Sequence, residues 1–213
     1  YGIGARLRPY HDHSTAQDRR EIVGFLEQGQ RVALVSDAGT PLVSDPGFKL
    51  VREAREQGFE VWSIPGASAP LAALAASGLP TDRFLFAGFP PPKSAARMAF
   101  FEELKAVDAT LVLFEGHSRI SSALSDAAEV LGERDAVVAR ELTKRFEEKR
   151  SGRLSDLSVH YARTGPPRGE LVVLIAAGAK APVLEEDLDH AILGLDPTMS
   201  VKEASALIAS RFG

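Results

Sequence analysis

SDAGTPLVSDPG, residues 36–47, follows directly on RVALVS at 31–36, and this succession of apolar run and bend decides how the chain is read. RVALVS is short, apolar and closed by a glycine and proline cluster, which is the pattern of a buried parallel strand. The two glycines and two prolines that follow can hold a fixed loop whose backbone N–H and C=O groups face a ligand at the carboxyl edge of a sheet. The loop matches neither the phosphate loop ending in Gly-Lys-Ser/Thr nor the GxGxxG dinucleotide fingerprint. A small-ligand loop is a better reading of it than a purely structural turn.

The arrangement recurs downstream. Phe48 to Gln57 reads as a helix closed by Gly58, EVWSI at 60–64 reads as the next strand, and Pro65-Gly66-Ala67-Ser68-Ala69 opens an alanine-rich helix from Ser68 to Ser77. Alone, a serine in that place is a helix cap. Two such bends on neighbouring strands converge on one sheet edge, so together they point to one shared pocket. Gly78 to Pro92, with Phe84, Phe86 and Phe89 among its prolines and glycines, reads as a crossing between two lobes with a boundary near residue 83. Beyond it TLVLFE (110–115), Ala136 to Arg140 and ELVVLIA (170–176) read as strands and Ile120 to Leu131 as a helix, with room for antiparallel members. Ala16 to Gln28 and Ser200 to Phe212 have helical patterns, the second with Ser200 as N-cap.

The expected fold class is therefore α/β, two-lobed, with a cleft between the lobes. Its expected parts are an N-terminal lobe over 1–82, a second lobe over 83–180 and a helical tail over 181–213. An open α/β sheet ordinarily begins with a strand, whereas this sequence begins irregularly and stops after a lone amphipathic helix. Material is accordingly expected to be missing at both ends, the opening strand included.

Composition removes several function classes. With 45% hydrophobic residues over 213 positions the chain can fill one large or two small cores. The absence of cysteine rules out a disulfide framework or a thiolate metal site and suits a reducing, cytoplasmic setting. No run approaches the roughly 18 apolar residues of a membrane span, and YGIGARLRPYHDHS lacks the apolar core of a secretory signal. A net charge of -4 argues against a wholly basic nucleic-acid coat. A local basic face can still draw on Arg140, Lys144, Arg145, Lys149, Arg150 and Arg153, although the interleaved Glu141, Glu147 and Glu148 equally describe a solvated edge of mixed charge.

VALVSDAGTPLVSDPG, then IPGASAPLAALAASGLPTDRFLFAGFPPPK, then ARELTK and PPRGELVVLI, closely resemble the ribosomal small-subunit RNA cytidine-2′-O-methyltransferase I family, a branch of the tetrapyrrole methylase superfamily. The resemblance runs over nearly the whole chain. It implies a two-domain α/β fold with S-adenosylmethionine in the cleft between lobes, 2′-O-methylation of a cytidine ribose in the decoding region of 16S rRNA, action on the 30S subunit, and a homodimer. By the same resemblance Ala38, Gly39, Thr40, Pro41 and Val43 line the cofactor, with Pro65, Gly66, Ser68 and Ala69 as the facing wall. Glu115, Leu142, Gly169 and Glu170 close over it from the second lobe. The chain departs from the family in lacking an opening strand with a Thr-Pro-Ile-Gly-Asn-like loop. It also reads Glu115-Gly116-His117-Ser118-Arg119 where many members have Glu-Ser-Pro-His-Arg, so no catalytic role is carried over to His117.

Methyl transfer to a ribose hydroxyl is an in-line displacement at a sulfonium carbon, so alignment matters most and one proton must be removed. Asp37, His11, His13 and Glu141 are open candidates for the base, and Lys144 or Arg140 for holding phosphate or favouring hydroxyl ionisation. Each also has an ordinary structural role: Asp37 as a loop cap, the histidines as surface residues, Lys144 as a helical partner of Glu148. Asp37 with Asp45 could seat magnesium and His11 with His13 zinc, but no third ligand suggests itself and no essential metal is expected. The rival readings are a tetrapyrrole or diphthamide-precursor methyltransferase of the same superfamily, and a non-catalytic RNA-binding or assembly module.

Overall fold

The computed structural model describes residues 2, 4–178, 185–196 and 198–212. It divides into two compact units, Tyr1–Gly178 and Ala179–Gly213. Among the described residues no helix is long and apolar enough to cross a membrane.

The larger unit is built on a five-stranded sheet formed by β1 (Phe84–Gly88), β2 (Thr110–Glu115), β3 (Asp135–Arg140), β4 (Glu148–Arg153) and β5 (Leu171–Ile175), in the order β1-β2-β5-β3-β4. Only β1 and β2 run parallel; the other neighbours are antiparallel. The alternation of side chains along a strand divides the core in two. Leu111, Leu113, Ala136, Val138, Leu171, Val173 and Ile175 share one face with α4 (Ser94–Leu104), α5 (Ile120–Leu131) and α6 (Leu154–Thr164). Val112, Val137, Ala139, Val172 and Leu174 share the other with Ala73 and Leu74 of α3 (Ala69–Ser77). This second contact matters for function, because α3 brings Ser68, Ala69 and Pro70 at its start to the same cleft as Phe114 and Glu115 at the end of β2.

Two polar ties fix the periphery. Ser121 and Ser158 each donate a hydroxyl to the other's carbonyl, at 3.1 and 2.9 Å, and so lock α5 to α6. Arg97, nearly fully buried, meets Asp126 at 2.6 Å and donates to the Pro92 carbonyl at 3.2 Å. That pairing satisfies a charge that burial would otherwise penalise, and it anchors the proline-rich segment after β1.

The N-terminal part of this unit holds α1 (Ala16–Glu27), started by a Thr15–Asp18 capping box, and α2 (Phe48–Glu56). Arg19 joins the two helices through Glu53 at 3.1 Å. The strands expected at 31–36 and 60–64 do not form. A strand exists by its ladder, and neither segment pairs with the other or with β1–β5, so Val35, Trp62 and Ile64 remain exposed. Conversely, the segment read as a crossing contains β1, and the charged EKRSGR is a strand, β4. The smaller unit carries α7 (Glu185–Leu193) and α8 (Val201–Phe212), the latter opened by Ser200, whose hydroxyl accepts from the Glu203 N–H at 3.3 Å.

Candidate functional site

The loop after residue 35 is held from within. Ser36 Oγ lies 2.6 Å from Asp45 and 2.9 Å from the Ala38 carbonyl. One hydroxyl proton serves one acceptor at a time, and the nearer, charged carboxylate is the stronger partner. Thr40 Oγ1 then donates to the Ala67 carbonyl at 3.1 Å, bridging this loop to the bend that opens α3. The two bends thus meet, and Gly39 and Ser68 line one cleft of about 800 Å³. That volume lies within the range of small-molecule sites, roughly 300–1,000 Å³.

The opposite wall comes from the sheet. Phe114 and Glu115 at the end of β2, Phe89 beyond β1, and Gly169 to Val172 leading into β5 face the same cleft. Phe89 and Phe114 contact each other with ring centroids 5.3 Å apart. Glu115 Oε1 accepts from the Gly116 N–H at 2.6 Å and pairs with Arg119 at 2.7 Å, while Oε2 is buried with no partner. A buried carboxylate oxygen without a donor is costly, and beside a cleft it is a ready acceptor for a ligand's donor.

A clasp behind this wall joins two distant segments. The Glu141 carboxylate accepts from the Glu170 N–H at 2.9 Å and from Lys144 at 3.0 Å, and Lys144 also reaches Glu170 at 2.9 Å. The Glu170 amide and then Lys144 hold the Glu141 carboxyl below the usual range, while Glu170 and Glu141 raise the Lys144 ammonium. All four non-glycine residues with positive φ among those described lie in the two loops flanking the cleft: Leu42 and Ser44 in one, Glu141 and Thr143 in the other. Such conformations persist where surrounding contacts over-determine them, which is common at ligand sites.

Of the residues singled out in the sequence, His11, Asp37, Ala38, Gly39, Thr40, Pro41, Val43, Ser68, Ala69, Glu115, Gly169 and Glu170 line the cleft. Pro65, Gly66, Leu142, Glu141, Lys144, His13 and Arg140 do not. Leu142 packs against the Val172 side of the core, and Arg140 pairs with Glu148 at 3.1 Å. Lys144 pairs with Glu141 and Glu170, not with Glu148. Sequence reasoning passed over Arg8, Tyr10, Phe89 and Phe114 as lining residues; the phenylalanines that close the runs FLFAGF and TLVLF were the available signal for the two rings. Asp45 is tied to Ser36, and no group of three or more His, Cys, Asp or Glu among the described residues is placed to hold a metal.

The profile of the Tetrapyrrole (Corrin/Porphyrin) Methylases matches residues 5–158. The Ribosomal RNA small subunit methyltransferase I of Mesorhizobium japonicum is 48% identical across the whole of this chain, which spans 73% of that protein. Among solved structures, the methyltransferase CobJ superposes with a TM-score of 0.58 at 23% identity, over 85% of this chain and 81% of its own. A uroporphyrin-III C-methyl transferase from Thermus thermophilus, complexed with S-adenyl homocysteine, gives 0.50 at 18% identity, over 74% of this chain and 71% of its own. These two likenesses concern the fold, which is the expected α/β tetrapyrrole methylase fold. The identity to the first relative goes further, and the chain belongs to the ribosomal RNA small subunit methyltransferase I family of the tetrapyrrole methylases.

Proposed function

We propose that the cleft binds S-adenosylmethionine and that the chain methylates a cytidine ribose 2′-hydroxyl in the decoding region of 16S rRNA, acting on the 30S subunit. The observation that carries this reading is the meeting of the two bends, tied through Thr40 and Ala67, in one cleft of a family member. The lining suits the ligand. Asp37 and Asp45 line the cleft with no cationic partner among the described residues, while Glu115, Glu170 and Arg8 are paired with Arg119, Lys144 and Glu21. The uncompensated charge favours a cationic sulfonium, and Glu115 Oε2 offers an unused acceptor to a hydroxyl or ammonium donor.

When bound, S-adenosylmethionine supplies an electrophilic methyl carbon, so the ribose oxygen forms the new C–O bond as the C–S bond breaks and the hydroxyl proton leaves. The chain's part is to orient and to accept that proton. Of the candidates weighed in the sequence, His11 and Asp37 reach the cleft, whereas Glu141 and Lys144 hold its wall from behind. We assign proton acceptance to His11, because an imidazole is better matched to that task near neutral pH than a carboxylate. Asp37, on the same loop as Gly39, contributes charge toward the sulfonium. The organisation proposed with it is a lobe over 1–82 and a second over 83–180, with the 181–213 segment as the start of a helical RNA-binding module, in a cytoplasmic homodimer.

Calorimetry with S-adenosylmethionine and mass spectrometry of 16S rRNA from 30S subunits incubated with protein and cofactor test the reading together. Cofactor binding with one new 2′-O-methylcytidine is expected. His11→Ala should leave cofactor affinity in place and lower kcat about 100-fold. Cofactor binding with methylation of a porphyrin or corrin and none of RNA would place the chain with the tetrapyrrole enzymes. RNA binding without any cofactor heat would make it a non-catalytic module.

A further inference from the structure

Phe146 is 64% exposed in the connection between β3 and β4, and the Arg145 guanidinium lies over its ring, 5.6 Å from the centroid. An isolated exposed aromatic needs no explanation, but this one sits on a fixed support. The Thr143 N–H donates to Glu147 at 2.7 Å, the Lys144 N–H to the Glu141 carbonyl at 3.0 Å, and the Glu147 N–H to the Lys144 carbonyl at 3.2 Å. Lys144, two residues before Phe146, is tied to Glu170 on the cleft wall. The ring is therefore carried on a hydrogen-bonded loop that the Lys144–Glu170 pair ties to the cleft wall.

The charge pattern sharpens the point. Arg140, Lys149, Arg150 and Arg153 are each paired with a carboxylate, so most of the basic face foreseen in the sequence is an edge of mixed charge. Arg145 and Arg168 have no carboxylate partner among the described residues, and both are exposed. Arg168 immediately precedes Gly169 of the cleft wall. Cation and aromatic face are thus combined beside the cleft, and that combination suits a nucleotide: the base stacks on the ring, the guanidinium adds a cation–π contact, and a phosphate finds an uncommitted cation.

We infer that Arg145 and Phe146 form a stacking and phosphate-binding site for an unpaired nucleotide of single-stranded RNA adjoining the one whose ribose enters the cleft. The inference rests on the RNA-methylation reading above. Stacking on an aromatic face is sequence-tolerant, so this site positions the strand and leaves base choice to the cleft.

The test is steady-state methylation of 30S subunits by wild type, Phe146→Ala, Phe146→Trp and Arg145→Ala, with cofactor affinity and Tm measured on each. Phe146→Ala should lower kcat/KM for the 30S subunit about 10-fold through KM, and Phe146→Trp should restore it. Arg145→Ala should reduce the slope of log kcat/KM against log salt by about one. Cofactor affinity and Tm should not move. Unchanged kcat/KM in Phe146→Ala, or a loss that Phe146→Trp fails to rescue, overturns this inference alone. A wild-type protein that methylates no RNA overturns the underlying reading as well.

Discussion

On one side of the cleft, the loop over residues 36–47 grows from a segment with no strand partner and is held by its own Ser36–Asp45 contact and the single Thr40–Ala67 bridge. On the other, residues 141–147 and 169–171 spring from β3, β4 and β5, whose ladders run unbroken from Asp135 to Arg140 and from Leu171 to Val173 and beyond. Both walls hold backbone in the left-handed region, yet they hold it by different means. The first relies on glycine and local hydrogen bonds; the second relies on side chains pulled together by a sheet. The turn at Gly39 has open space beside it, whereas Gly169 packs against the Glu141 side chain that the clasp holds in place, so intrusion at Gly169 costs more.

The largest effect expected from this contrast is at Gly169. Its φ is +112°, and a Cβ there would lie 2.5 Å from Glu141 Cγ and 2.6 Å from Oε1. Gly169→Ala must displace the very side chain that receives the Glu170 N–H, in addition to straining the backbone. We expect a stability loss of about 2–4 kcal/mol by denaturant unfolding, with a matching loss of cofactor binding. Adding Glu141→Ala should recover the steric share and leave the backbone share. Strict additivity of the two substitutions would show that the collision is not the cause.

Gly39→Ala should be milder. Its φ is +78°, but a Cβ there meets nothing within 4 Å, so the cost is backbone strain alone, about 1 kcal/mol. The new methyl would stand in the cleft lining, so cofactor affinity is expected to fall by more than stability does. A stability loss equal to that of Gly169→Ala would erase the distinction between the walls.

Much of this organisation is legible in the sequence. The helices α1, α2, α3 and α5 were plain from period and caps, and the apolar β2, β3 and β5 from composition, because each buries a continuous stripe. β4 was illegible for the opposite reason: EKRSGR pairs only with β3 at the edge of the sheet and needs no apolar face. β1 was masked by flanking glycine and proline, and α4 and α6 went unread. RVALVS and EVWSI carried a strand composition without a ladder, since composition reports what a strand would bury and not whether a partner lies alongside. In the site, the bends were readable because glycine and proline mark backbone locally. The Glu141–Lys144–Glu170 clasp was not, because it joins segments 29 residues apart through contacts that no local pattern announces. Glu141 therefore read as a possible base when its carboxylate is already committed to the wall.

That commitment supplies the smallest of the expected effects and the one most specific to the second wall. Glu141 titrates below its ordinary value of 4.5, chiefly because the Glu170 N–H and then Lys144 favour the charged form. A group with a depressed folded-state value contributes stability above its unfolded value, and the contribution is lost as pH falls through the folded one. The clasp is thus intact at neutral pH and loosens only below about 4.5. Lys144 is displaced upward from 10.5, so its share persists below that value and is lost only as pH rises beyond it. Exposure to solvent keeps the energy small, so chemical shift is the right probe. In an NMR titration the Glu170 amide should show a component with a midpoint below 4.5 that disappears in Glu141→Gln. The Thr40–Ala67 bridge contains no ionisable group, so the Thr40 and Ala67 resonances should not share that midpoint. A common midpoint on both sides of the cleft would mean that the walls move as one body, and the contrast between them would fail.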